Sequence, residues 1–291
     1  MKRCCRKGPE MRSVGSNDAI GDYYSVKHDR VPQKSLAKCV ASAILRTARL
    51  PRTPQMCGRF TLTVPSYEQL TTLLGVETQS QQVRRYRPRY NVAPRDVHWI
   101  LLSADDRRRL IPARWGFPSP GTSGREARSD LINARAETVH EKPSFRGAFR
   151  SRRCIVPADG FYEWARIGNT KQPFWIRPAH EELLLLAGLY ENPLHGGEAS
   201  DAPRFTILTV PANDFMARIQ PRMPLILPRS DADVWLHFLW ESSHALPERL
   251  ARCLAPAPED ALVSTKVSRY VNSPSHDDPK CIEPASEEET P

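Results

Sequence analysis

The chain has 291 residues, 40% hydrophobic and 26% charged, enough for one sizeable globular domain with tails; no stretch is long and apolar enough to span a membrane, and the Lys/Arg-rich start lacks a secretory core. Seven cysteines, an odd number with no CxxC pair, argue against a disulfide scaffold or a zinc site, so the expectation is a cytoplasmic protein without a metal. The net charge of +9 is misleading: residues 1–55 hold 12 Lys/Arg against 4 Asp/Glu, leaving 30 against 29 in the rest.

Residues 1–55 show no sustained helix or strand period and end in Pro51-Arg52-Thr53-Pro54, which reads as a basic, disordered extension, removed later or a mis-called start. From Cys57 the pattern becomes regular. Cys57–Val64 alternates like a strand, and Ser66 caps a helix over Tyr67–Leu74 that Gly75 ends. Arg84–Pro94 is a basic, aromatic, proline-bounded loop; Val97–Leu102 and Leu110–Trp115 are strands around a polar turn, Ala104–Arg108. A Gly/Pro/Ser loop, Gly116–Ser129, leads to Leu131–Thr138 and the basic block Phe145–Arg153. Ala158–Trp164 then places Glu163 among aromatic residues on a strand, a setting that raises a carboxyl's pKa.

Pro173–Arg177, Leu183–Tyr190 and Phe205–Val210 are three further strands, the middle one apolar enough to be central. Asn213–Ile219 is a helical turn or two, Arg222–Leu227 a proline-bounded strand, Ser230–Glu241 a helix capped by Ser230, and Leu246–Leu254 another. Many short strands with a few late helices predict an α+β, β-rich domain over residues 57–283, with a closed or half-closed mixed sheet, followed by an acidic tail, 284–291. Charge within it is polarised, 17 basic against 7 acidic residues in Arg84–Arg153 and 5 against 12 in Asp231–Pro291, which suits an anionic ligand on one face.

The chemistry concentrates at Met56-Cys57-Gly58-Arg59-Phe60. A methionine before a small residue is a site an aminopeptidase clears when translation begins there, and that would give Cys57 a free α-amine beside its thiol. The amine titrates at about 7.7–8.0 and the thiol at about 8.5, so both attack electrophiles near neutral pH. An aldehyde would be held twice, as a Schiff base to the amine that the tethered thiol closes to a thiazolidine.

Taken one at a time, Cys57, Asn133, Arg135 and Glu163 each have an ordinary structural reading. In order, however, the tracts MCGRF, RYNVAP, WG, LINARAET, RRCIVPADGFYEW, PFWI, AGLYE and RMPLIL resemble the SRAP family of abasic-site processing proteins, from Met56 to about Glu283. The resemblance implies a protein of DNA repair and the SOS response that cross-links its N-terminal cysteine, here Cys57, to abasic sites in single-stranded DNA. Such a protein would act as a monomer without a cofactor, nucleoid-associated when bound. By the same resemblance Asn133 orients the sugar or Cys57, Glu163 shuttles protons, and Arg135, Arg59 and Arg222 meet phosphates. Trp115, Asn91, Pro94 and Thr209 belong to the DNA surface. Two departures stand out. Gln220 occupies the position of a family histidine two residues before Arg222, and an amide cannot exchange a proton near pH 7. No second tryptophan follows Trp115-Gly116 within the Phe117–Pro120 stretch.

Two other functions fit part of the pattern. A thiol peptidase, acting on its own Met56-Cys57 bond, needs a histidine against Cys57, with His98 and His140 the nearest in sequence. A passive single-strand binder needs only the basic and aromatic surface.

Overall fold

The computed structural model describes residues 57–104, 107–118, 130–192, 202–240 and 245–286. The extension with Cys4, Cys5 and Cys39, most of the Gly116–Ser129 loop and the Glu287–Glu289 run lie outside the described residues. In chain order the elements are β1 (Phe60–Leu62), α1 (Tyr67–Leu74), α2 (Ser80–Val83), β2 (Arg89–Val92), β3 (Val97–Ala104), β4 (Arg107–Trp115) and β5 (Asn133–Arg135). Then come α3 (Arg146–Ser151), β6 (Arg153–Ala158), β7 (Gly160–Ile167), β8 (Thr170–Pro178), β9 (Leu184–Glu191) and β10 (Arg204–Pro211). The last are α4 (Asp214–Ala217), β11 (Arg222–Pro224), β12 (Ile226–Leu227), α5 (Ala232–His237), α6 (Glu248–Arg252) and β13 (Leu262–Lys266).

The strands make two sheets. One has five strands in the order β13-β8-β7-β1-β2. The other has eight, and its path β10-β4-β3-β6-β9 returns to β10, because β9 pairs antiparallel with β10 while β4 pairs parallel with it. This is the closed mixed sheet expected from the sequence. Leu184–Leu189 is buried throughout and bonds to β6, β10 and β12, which explains the unbroken apolar run of that segment. Short β5 adds to β10 beyond the end of β4, with Asn133 opposite Ile207. No described helix is long and apolar enough to cross a membrane.

Local signals decide several boundaries. The Ser66 hydroxyl accepts the Gln69 N–H, and Gly75 at φ 64° takes the left-handed turn that ends α1 as expected. The strand expected over Cys57–Val64 contracts to β1, because the Asp159 carboxylate takes the Thr63 N–H in place of a neighbouring strand. Gly160, which opens β7, has no room for a side chain: a Cβ would lie 2.2 Å from the Trp175 ring nitrogen. Arg89–Val92, expected within a loop, is a strand whose Tyr90 and Asn91 N–H groups bond the Asp277 carboxylate. The helix expected over Ser230–Glu241 is only a 3-10 turn, Arg229–Asp231, plus α5, and Ser230 does not cap it. Buried Arg153 takes the carbonyls of Trp235 and Phe238 and so ends the helix early. The helix expected over Leu246–Leu254 is the shorter α6, and the basic block Phe145–Arg153 contains α3.

Candidate active site

Cys57 lies just before β1, and β1 pairs with β7 so that Phe60 faces Phe161. The Tyr162 N–H donates to the Arg59 carbonyl at 2.9 Å, carrying the pairing one step further and bringing Cys57 alongside Glu163. The Cys57 nitrogen donates to Glu163 Oε1 at 2.6 Å. From the other sheet, Asn133 Nδ2 donates to the Cys57 carbonyl at 3.3 Å. Three residues that the sequence singled out separately thus meet at one point, where β5 of the barrel approaches the five-stranded sheet.

The electrostatics follow from burial. Cys57 is fully buried and Glu163 is 1% exposed. Loss of water pushes the Glu163 carboxyl up to about 8, against the opposing pull of the Cys57 and Trp164 N–H groups. Burial, with Glu163 adding to it, holds the Cys57 thiol well above its ordinary range. Cys57 also has φ 35°, a left-handed conformation that costs a non-glycine residue on the order of 1–3 kcal/mol.

Gln220 follows α4, and its Nε2 donates to the Trp164 carbonyl at 2.8 Å, so it braces the strand that carries Glu163. Arg135 is exposed on β5 and has no ion pair among the described residues, which leaves it open to an anion. Pro94 is half-buried at the end of the β2 connection.

Several expected DNA contacts are occupied within the fold. Asn91 is fully buried: its Nδ2 donates to the carbonyls of Val271, Ser273 and His276, and its Oδ1 accepts from Arg59 Nη1 at 2.9 Å. Arg59 is held further by the Val271 and Asn272 carbonyls, and burial lowers its pKa. Trp115 is fully buried, donates its ring N–H to the Ile132 carbonyl at 2.9 Å and stacks on Phe205, so it is core and offers no face to a base. Thr209 is fully buried and accepts from Arg222. Arg222 forks onto the Glu137 carboxylate at 2.5 and 2.8 Å, which holds that carboxyl below its usual range. Glu137 stands in the LINARAET tract, but a partner 85 residues away leaves no local signal.

No described histidine bonds to Cys57. His98 Nε2 donates to the Pro157 carbonyl at 3.0 Å and is driven down to about 3 by burial, while His140 lies beside Glu141 and Phe149. A buried thiol with a raised pKa and no imidazole partner is poorly set up for a general-base thiol peptidase.

A model of the family described as SOS response associated peptidase (SRAP) matches residues 56–274. The abasic site processing protein YoqW of Bacillus subtilis is 37% identical over 229 residues, covering 78% of this chain and 99% of the relative. Abasic site processing proteins YedK of Escherichia coli, at 30% over 231 residues (79% and 100% covered), and HMCES of Gallus gallus, at 34% over 235 residues (69% and 67%), are also similar. Among solved structures, a protein from Bacteroides thetaiotaomicron superposes with TM-score 0.68 at 25% identity, over 79% of this chain and all of that one.

Proposed function

The chain belongs to the SOS response associated peptidase (SRAP) family, and from that premise we propose that it processes abasic sites in single-stranded DNA by capturing their aldehyde on Cys57. The observation that carries this reading is the 2.6 Å contact between the Cys57 nitrogen and the buried Glu163 carboxyl. Once Met56 is gone, that nitrogen is an α-amine. It adds to the aldehyde carbon of the ring-opened sugar, and the carbinolamine loses water to give an imine. The thiol then adds across the C=N bond, sulfur to carbon and proton to nitrogen, closing the thiazolidine with one water released overall.

Glu163 supplies the protons. Burial holds its pKa high, at about 8 while the Cys57 nitrogen is an amide, and the neutral acid can protonate the sugar ring oxygen on opening and the departing hydroxyl afterwards. The raised thiol pKa sets the order, amine first and sulfur second. Asn133 fixes the Cys57 carbonyl, and Arg135 meets the phosphate backbone.

The test is intact mass after mixing the purified protein with an abasic single-stranded oligonucleotide. The expected product is the mass of a chain beginning at Cys57 plus the DNA, less one water, and absent from Cys57→Ala. A mass adduct on a chain that retains residue 56, or one that survives in Cys57→Ala, would overturn the mechanism.

A further inference from the structure

Among the described residues after Lys266 only one bridge forms, Val267 with Pro284, yet this segment is tied firmly to the five-stranded sheet. Val267, Val271 and Cys281 pack with Tyr162 into a small core apart from the main one. The three carbonyls taken by Asn91 and the two N–H groups taken by Asp277 fasten this strap to β2. Tyr162 Oη donates to the Tyr90 carbonyl at 2.7 Å and the Cys281 carbonyl at 3.3 Å.

At the crest of the strap stands Asn272. Its carbonyl accepts from Arg59 Nη2 at 3.3 Å, and its side-chain oxygen accepts the Trp164 ring N–H at 2.8 Å. Arg59 is two residues beyond Cys57, and Trp164 follows Glu163. Strand alternation puts Trp164 and Tyr162 on the strap side of β7 and Glu163 on the other. Residues 57–59 precede β1, so the β1–β7 ladder ends just where the reacting pair has to be held.

We propose that Asn272 is a positioning residue, which links Arg59 to Trp164 and thereby holds the Cys57 nitrogen against the Glu163 carboxyl without touching DNA. The proposal deepens the capture reading, and its kinetic arm rests on that reading; a titration without DNA does not. Asn272→Ala removes the acceptor for Trp164 and leaves the backbone carbonyl to Arg59, whereas Asn272→Asp keeps an acceptor.

The experiment compares wild type, Asn272→Ala and Asn272→Asp in single-turnover adduct formation on an abasic single-stranded oligonucleotide across a range of DNA concentrations. Alongside, the titration of the Glu163 carboxyl is followed by NMR in the protein alone. A displacement near 1 Å can cost up to about a hundredfold, so a loosened pair is expected to slow Asn272→Ala about tenfold at saturating DNA. The half-saturating DNA concentration stays unchanged, the Glu163 titration moves, and Asn272→Asp restores both rate and titration. Asn272→Ala at the wild-type rate with Glu163 unmoved overturns the proposal, as do Ala and Asp variants that are equally slow. If wild type forms no adduct, the capture reading fails and the titration alone decides the role of Asn272.

Discussion

Replacing Glu163 by glutamine should exchange activity for stability in a way pH exposes. The carboxyl ionises near 4.5 when solvated and at about 8 in the fold, and it is 1% exposed, so solvent screening does not dilute the effect. Because the folded value is the higher one, the folded chain holds the proton more tightly than the unfolded chain. Its contribution is fully present below pH 4.5 and is lost as pH rises, levelling off above about 8. At about 1.4 kcal/mol per tenfold, the loss is about 1 kcal/mol at pH 5, about 3 at pH 7 and about 5 at pH 9. Glutamine keeps an oxygen for the Cys57 N–H but has no proton to lose. Urea unfolding of the chain that retains Met56 should therefore show the gap between Glu163→Gln and wild type widening by about 4 kcal/mol from pH 5 to pH 9. In the processed chain the Cys57 ammonium faces the carboxylate, pulls its pKa down, and shrinks that gap. The same variant should cross-link about 10²–10⁴-fold more slowly. Parallel stability curves for variant and wild type across pH 5–9 would refute the argument.

Gln220→His should speed adduct formation or its exchange onto competitor DNA, by up to about a hundredfold, because an imidazole can carry protons where the amide only braces Trp164; identical rates in both assays across pH 5–8 would remove position 220 from proton transfer. Arg135→Ala should weaken binding to single strands and make the log K against log[salt] plot shallower by about 0.7, the loss of one phosphate contact, measured by fluorescence anisotropy. An unchanged slope would place the phosphates elsewhere.

Elements governed by neighbours in sequence were legible in it. Ser66 and Gly75 mark α1 because a cap needs only a hydroxyl and a left-handed turn, both local. The apolar run at Leu183–Tyr190 announces a strand bonded on both sides, and Glu163 among aromatic residues announces a desolvated carboxyl. What sequence could not disclose is direction. Trp115 and Asn91 have the residue types of a nucleic-acid surface, but the parallel pairing of β4 with β10 sets Trp115 beside Phe205, and the strap supplies Asn91 with three carbonyls from more than 175 residues away. Arg222 likewise finds Glu137 only because β11 and the segment after β5 flank the same strand, β10.

That shared strand also sets the order in which the site comes into being. Among the described strands β5 bonds only to β10, so nothing in that ladder can place Asn133 until Ile207 has been made, 150 residues after Cys57. A nascent chain cut short before that point carries the cysteine and the glutamate but not the grip on the Cys57 carbonyl. Such sequence-distant, partly parallel closure is slow to form. The end that carries Cys57 is thus the earliest part of the domain to be synthesised and among the last to be assembled.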